Sequence, residues 1–239
     1  MWHTSQNNHY HVAKRLLTGH DVEVNVNVES RYLSEQTSLH HRVQHGNEKL
    51  IHLLLQQKSM DPNITNRGGM TPLAEAAYRR SHTIVRLLLN HKHINVNAPG
   101  KGKPTQLCKA AMAGHARVVR ALLTHPNIKP NESESYDGSS ALLNAAAIGS
   151  VEIVDLLLQD GRVNPLCADY FGRTALWWAA FRGHIAVVRC LLRSFRMNIN
   201  FPCDYDPLSV AEEEGHWKIV KLIQAARCST TSSINSIAC

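Results

Sequence analysis

The chain lacks most of the features that mark membrane and secreted proteins. No apolar run approaches the roughly 18 residues needed to span a bilayer. The start, Met1-Trp2-His3-Thr4-Ser5, has no basic opening followed by an apolar stretch, so a secretory signal is not expected. The six cysteines, at 108, 167, 190, 203, 228 and 239, form no CxxC pair and fit a reduced cytosolic or nuclear setting. Aromatic residues are scarce: four Phe, four Trp and six Tyr among 239 residues, so any place where they gather is informative. What is plentiful is aliphatic, with apolar residues at 44%, which excludes wholesale disorder.

Read against itself, the chain repeats. A glycine-like position followed by His or a polar residue, two apolar residues and a Leu pair recurs at 8, 46, 80, 114, 149, 183 and 215. The copies include Gly46-Asn47 to Leu54-Leu55, Gly114-His115 to Leu122-Leu123 and Gly183-His184 to Leu191-Leu192. Intervals near 34 residues are those of stacked supersecondary units. Asn25, Asn63, Asn97, Asn131 and Asn200 stand 17 residues after five of these positions, whereas Leu166 breaks the rule.

One unit reads as a helix pair. Thr71-Pro72-Leu73, Thr105-Gln106-Leu107 and Thr174-Ala175-Leu176 each offer a capping Thr, and Pro72 suits a first turn. Alanine pairs follow, such as Ala76-Ala77 and Ala179-Ala180, and let a neighbouring helix approach closely. A left-handed glycine then ends the first helix. The second carries apolar residues at helical spacing, for example Val118, Val119, Leu122 and Leu123. Neither helix buries its apolar face alone, so units must stack.

These units resemble the ankyrin repeat, with its Thr-Pro-Leu-His-x-Ala-Ala, Gly-His and Leu-run pattern, over roughly residues 8 to 226. The stretch Thr174 to Leu192 is worded like arrays common in filamentous fungi. The resemblance implies an all-α solenoid of paired antiparallel helices with connecting β-turn loops. Departures are visible: only His40 fills the motif's His, while Ala74, Cys108, Leu143, Trp177 and Ser209 stand there elsewhere, and Arg42-Val43 replaces an alanine pair. The expected organisation is a truncated first copy and its connecting loop over 1–36, six further repeats over 37–228, the last a C-terminal cap, and a disordered Ser/Thr-rich tail over 229–239. Glu212-Glu213-Glu214 marks that last unit as one with nothing stacked beyond it.

The net charge of +7 is unevenly spread. Residues 67–129 hold eleven basic side chains against a single acid, Glu75, while 130–239 hold nine basic and twelve acidic ones. Arg86, Arg117 and Arg120 fall on second helices and are expected to face outward. Two readings stand for this basic stretch: a solvated surface, or a docking face for an acidic protein partner. Nucleic acid or a phosphoinositide is expected less, because a recognition motif and interleaved aromatics are missing.

The resemblance implies a concave contact face made of turn tips and first helices. On that basis the candidate partner-binding residues are Arg67, Tyr78, Arg79, Lys101, Lys103, Tyr170, Phe171, Arg173, Trp178, Phe181 and Arg182. The stretch 170–182 concentrates aromatics and Arg, the usual interface anchors. For Trp177 and Trp178 the competing reading is that they fill gaps between repeats.

Catalytic and metal chemistry find no footing. His9 and His11, His40, His41 and His45, and His91 and His93 are local groups without the acid or Cys companions of a zinc site. His115, His184 and His216 recur one repeat apart and read as structural. Gly100-Lys101-Gly102-Lys103-Pro104-Thr105 fails as a phosphate loop, because Pro104 interrupts the Lys-Thr step. No Gly-x-Ser-x-Gly occurs. The expectation is therefore a monomeric, non-catalytic protein-binding scaffold without cofactor, metal or membrane contact, in the cytoplasm or nucleus. A transcription co-regulator of ankyrin type in the nucleus, or an adaptor delivering a target to modifying machinery, are its more specific versions.

Overall fold

The structure is a computed structural model that describes residues 10–18, 25–27, 29–30, 36–98, 104–133, 136–194 and 206–235. The chain divides into two compact units, residues 1–129 and 130–239.

In the N-terminal unit, α1 (Tyr10–Thr18) precedes a short antiparallel pairing of β1 (Glu29–Ser30) with β2 (Gln36–Thr37). Three helix pairs follow: α2 (Ser38–Gln44) with α3 (Glu48–Leu55), α4 (Pro72–Tyr78) with α5 (His82–Leu89), and α6 (Gln106–Met112) with α7 (Ala116–Leu123). The first helices pack in sequence, α2 on α4 and α4 on α6, and the second helices likewise, α1 on α3, α3 on α5 and α5 on α7.

The expected capping occurs. The hydroxyl oxygens of Thr37, Thr71 and Thr105 accept from the amides of His40, Ala74 and Cys108 at 3.4, 3.2 and 3.3 Å. Each first helix is seven residues long and presents small buried side chains, such as Ala76, Ala77, Ala110 and Ala111, to its neighbours. The second helices bury one stripe: Leu50, Ile51 and Leu54; Ile84, Val85 and Leu88; Val118, Val119 and Leu122. Burying such a side chain fully contributes about 1.5–3 kcal/mol, so this stripe is what holds the stack.

The turn between paired helices needs a left-handed residue. Gly46 and Gly114 supply it at φ +70° and +73°, and Arg80 adopts φ +62° at the same place, against its steric preference.

The C-terminal unit repeats the plan with α8 (Ala141–Ala147) and α9 (Val151–Gln159), α10 (Ala175–Phe181) and α11 (Ile185–Ser194), and α12 (Pro207–Glu213) and α13 (Trp217–Asn235). Helix α10 packs between α8 and α12, and α11 between α9 and α13. Asp206 replaces Thr as the cap of α12, accepting from the Leu208 amide at 3.2 Å. Here the glycine-histidine pairs show their purpose. His184 Nε2 donates to the Ala147 carbonyl at 3.0 Å, and His216 Nε2 to the Phe181 carbonyl at 3.2 Å, each tying a second helix to the preceding repeat. These rings lie over Gly149 and Gly183, where an added Cβ would stand 2.7 Å from a ring atom. The glycine is thus required twice, by φ and by space.

Asparagines lace the connecting loops within each unit. Asn63 donates to the His93 carbonyl at 2.7 Å and accepts the Asn95 amide at 2.7 Å. Asn97 does the same with Asn127 and Lys129, and in the other unit Asn131 does so with Arg162 and Asn164. In the first copy the ladder residue is Asn27, bonded to Ser59 and Asp61, rather than Asn25. The first repeat interval is longer than the others, and a fixed offset therefore misses it.

The chain end differs from expectation. Helix α13 runs to Asn235, so residues 229–235, expected to be disordered, have helical backbone. Serine and threonine are only moderately poor helix formers, and the packed turns before them provide the nucleus from which a helix extends. Residues 236–239 lie outside the described residues.

Candidate protein-binding surface

In the C-terminal unit the hairpin before α10 is organised by a buried acid. Asp169 Oδ1 accepts the amides of Phe171 and Arg173 at 3.0 and 2.9 Å. Its Oδ2 accepts Arg173 Nε at 2.7 Å and Trp178 Nε1 at 3.2 Å. The isolated bridge between Ala168 and Thr174 closes this turn. Asp169 is fully occupied, and its partners are the residues that make up the surface.

The Arg173 guanidinium carbon sits 4.6 Å from the Phe171 ring centroid and 4.4 Å from that of Trp178. Trp178 meets Trp177 edge-on at 5.2 Å, and Phe181 stacks on Trp177 at 5.1 Å and 16°. Arg182 lies 5.4 Å over Phe181. Cation–π contacts contribute about 0.5–2 kcal/mol each, so the cluster is preorganised rather than loose. Tyr170 and Phe171 remain 73% and 56% exposed, Arg182 is exposed, and Arg173, Trp178 and Phe181 are half-buried. Five candidate residues, Phe171, Arg173, Trp178, Phe181 and Arg182, therefore come together as one aromatic and cationic patch, whereas the Tyr170 ring lies against Gly138 of the preceding turn. Trp177 is 9% exposed and packs as a core residue, which agrees with the gap-filling reading for that position. Tyr136, on a turn tip of the same unit, is 93% exposed.

In the N-terminal unit Arg67 and Tyr78 are exposed, Tyr78 at 67%. Arg79 is tied down: its Nε donates to Glu75 Oε1 at 2.5 Å, one helical turn back. Lys101 and Lys103 lie outside the described residues. Arg86, Arg117 and Arg120 are exposed on second helices, as expected.

The motif histidine His40 bridges two repeats. Its Nδ1 shares a hydrogen with the Thr37 hydroxyl at 2.9 Å, and its Nε2 donates to the Met70 carbonyl at 2.8 Å. Burial lowers its pKa, opposed by that carbonyl and by Glu75. His41 is pushed down to about 4, first by burial and then by the positive charges of Arg42 and His45. Arg42, 1% exposed, donates to His41 Nδ1, which an added proton would block. Burial raises the pKa of the Cys167 and Cys190 thiols, the opposite of nucleophile activation. Among the described residues no group of three or more His, Cys, Asp or Glu is placed to hold a metal, and no helix is long and apolar enough to cross a membrane.

Sequence reasoning missed Asp169. Its signal was present as Asp-x-x-Gly, an acid whose side chain can bond backbone two residues on. Its second role, toward Trp178, is made by the fold.

Comparison with known proteins agrees with this architecture. Models described as ankyrin repeats (3 copies) match residues 1–100 and 161–233, and one described as ankyrin repeats (many copies) matches 107–158. The ankyrin repeat domain of Bcl-3, described as a unique member of the IkappaB protein family, superposes with a TM-score of 0.80 at 25% identity, covering 91% of this chain and 96% of that one. An ankyrin repeat domain from Acinetobacter baumannii AYE gives a TM-score of 0.70 at 27% identity over 79% of this chain and 96% of its own. Calmodulin-binding transcription activator 2 of Homo sapiens is 30% identical over 102 residues, 37% of this chain but only 8% of that relative's length. Repeats of this kind form protein–protein interaction modules. Their residues, helix pairs and relatives agree, and the chain belongs to the ankyrin-repeat family.

Proposed function

We propose that this chain is a non-catalytic scaffold whose hairpin and first helix around Asp169–Arg182 capture a protein partner. The observation that carries this reading is the Arg173-centred cluster, in which exposed Phe171 continues a braced arrangement of Trp178, Phe181 and Arg182, with exposed Tyr170 next to it in the chain. Rigid aromatic and Arg side chains lose little conformational freedom on docking, which is why they dominate interface energetics. In the N-terminal unit, exposed Arg67 and Tyr78 offer a second contact set, and Lys101 and Lys103 extend the basic character that would favour an acidic partner.

The test is proximity labelling in cells with the native chain and with Trp178→Ala/Phe181→Ala. Both should show the same helicity by circular dichroism. Loss of specific labelled proteins in the variant supports the reading, and an unchanged labelled set overturns it.

A second reading, a transcription co-regulator, draws on two of the relatives: Bcl-3 is described as a member of the IkappaB family, and another relative is named a transcription activator. A nuclear location of the tagged chain would favour it, and a strictly cytoplasmic one would remove it.

A further inference from the structure

The first helices of the N-terminal unit leave two large apolar side chains in water. Pro72 to Ala77 of α4 are buried and only Tyr78 is exposed. In α6, which packs on α4, the exposed residue is Met112, at 53%. Each is the last residue of its helix, so the two hold one repeat position in consecutive copies. Helices α2 and α12 end in polar residues there, Gln44 and Glu213. A lone exposed apolar side chain is ordinary on a protein surface. Two of them on adjoining helices, at a position where the repeat accepts polar residues, make a strip suited to a partner.

The backbone under this strip is fixed. The His115 ring bonds to the Tyr78 carbonyl, the tie that His184 makes to Ala147 and His216 to Phe181. Tyr78 therefore stands in its unit where Phe181 stands in the other. Its ring is a stiff anchor, while the Met112 thioether adapts to what covers it. Charge decides which segment approaches. The N-terminal unit carries seventeen basic and seven acidic side chains, and the C-terminal unit nine and twelve. The excess is a sum over the whole unit, so it holds whichever side chains pair within it. A field of this sign draws acidic segments and repels basic ones.

Spacing decides its shape. Packed helices lie about 8–10 Å apart, which sets the distance between the two anchors. An α-helix returns a side chain to the same face after seven residues, about 10.5 Å along its axis. A β-strand repeats its face at about 6.8 and 13.5 Å, on either side of that distance. A proline-rich segment docks on grooves lined by several aromatic rings, and this strip has one. We propose that Tyr78 and Met112 dock an acidic amphipathic helix of the partner protein, against two of its apolar side chains one heptad apart. The inference rests on the reading of the chain as a protein-binding scaffold and names the segment that its N-terminal unit takes.

Selection of a phage-displayed library of random peptides, about four helical turns long, against the full chain tests it. The enriched peptides should be rich in Asp and Glu and carry large apolar residues seven apart. The strongest is then synthesised with a fluorescent label and titrated by anisotropy. Tyr78→Ser and Met112→Ser should each weaken its binding by about tenfold or more, as expected of interface anchors. Both side chains are exposed, so the fold should survive, and thermal melts check it. Trp217→Ser removes an equally exposed aromatic from the C-terminal unit and should leave binding unchanged. Exchanging the peptide's acids for Asn and Gln should weaken it by about tenfold at low salt. The cellular labelling test reads Trp178 and Phe181, and this one reads Tyr78 and Met112, so either can fail alone. Basic or proline-rich winners overturn the proposal, as does a neutral peptide that binds equally well or an equal loss in Trp217→Ser. Binding that survives both Tyr78→Ser and Met112→Ser overturns it too and leaves the surface around Asp169–Arg182 as the docking site.

Discussion

Asp169 holds Arg173 through a 2.7 Å ion pair in which the carboxylate is fully buried and the guanidinium is one-fifth exposed. The pair fixes a cation between two aromatic rings while its acid also anchors a hairpin and an indole. Asp169→Ala therefore removes several bonds at once. The variant should unfold with about 2–3 kcal/mol less stability in urea, with the cost moderated because Arg173 can rehydrate. Arg173→Ala should cost less, since Asp169 keeps its two backbone donors and Trp178. Equal losses in the two variants would contradict a hub role for the acid.

Most of the fold was legible because its requirements are local. A capping Thr, an alanine pair and a left-handed turn each act within a few residues, and their recurrence gave the register even where the residue was wrong, as at Arg80. The less legible parts depend on partners brought in by folding. Asp169 looks like an ordinary turn acid until Trp178 folds back onto it, and Asn27 takes the ladder place that uniform spacing gives to Asn25. The Arg79–Glu75 pair was visible as an i, i+4 spacing, yet composition alone made Arg79 look as available as Arg67.

Opposite substitutions test the left-handed turn. Gly149→Ala forces a side chain into φ +77° and against the His184 ring, and should destabilise the chain by 2 kcal/mol or more, about 1–2 of it from the backbone alone. Arg80→Gly relieves the same strain at φ +62° and should stabilise by about 0.5–1 kcal/mol after the entropy of a freer unfolded chain is charged against it. Denaturant midpoints report both. A stabilising Gly149→Ala would refute the turn argument.

Acid should act on the N-terminal unit through His41. Its folded pKa, about 4, lies below the unfolded value near 6.5, so the unfolded chain binds the extra proton between those limits. Stability is then full above about pH 7 and falls as pH drops toward 4, by up to about 3 kcal/mol from this group. His40, also lowered by burial, adds in the same direction. His41→Gln should flatten the pH dependence of urea midpoints between pH 7 and 4. An unchanged slope would mean that His41 is not held neutral in the fold.

Charge steering of the partner makes a prediction that separates Arg67 from Arg79. Arg67 is exposed on a turn, whereas the Arg79 guanidinium already faces Glu75 at 2.5 Å. An acidic partner would feel the Arg67 charge largely unattenuated and that of Arg79 partly cancelled. Once the partner is in hand, its association rate should fall as salt rises, because the Debye length contracts from about 10 Å at 0.1 M to about 3 Å at 1 M. Arg67→Glu should slow association at low salt by several-fold and do little at high salt. Arg79→Gln should slow it less, since it removes a charge that Glu75 already offsets. Stopped-flow or surface-based kinetics measure these rates. Salt-independent association, or a larger effect from Arg79→Gln than from Arg67→Glu, would show that the basic stretch is a solvated surface and that the partner docks through the aromatic cluster alone.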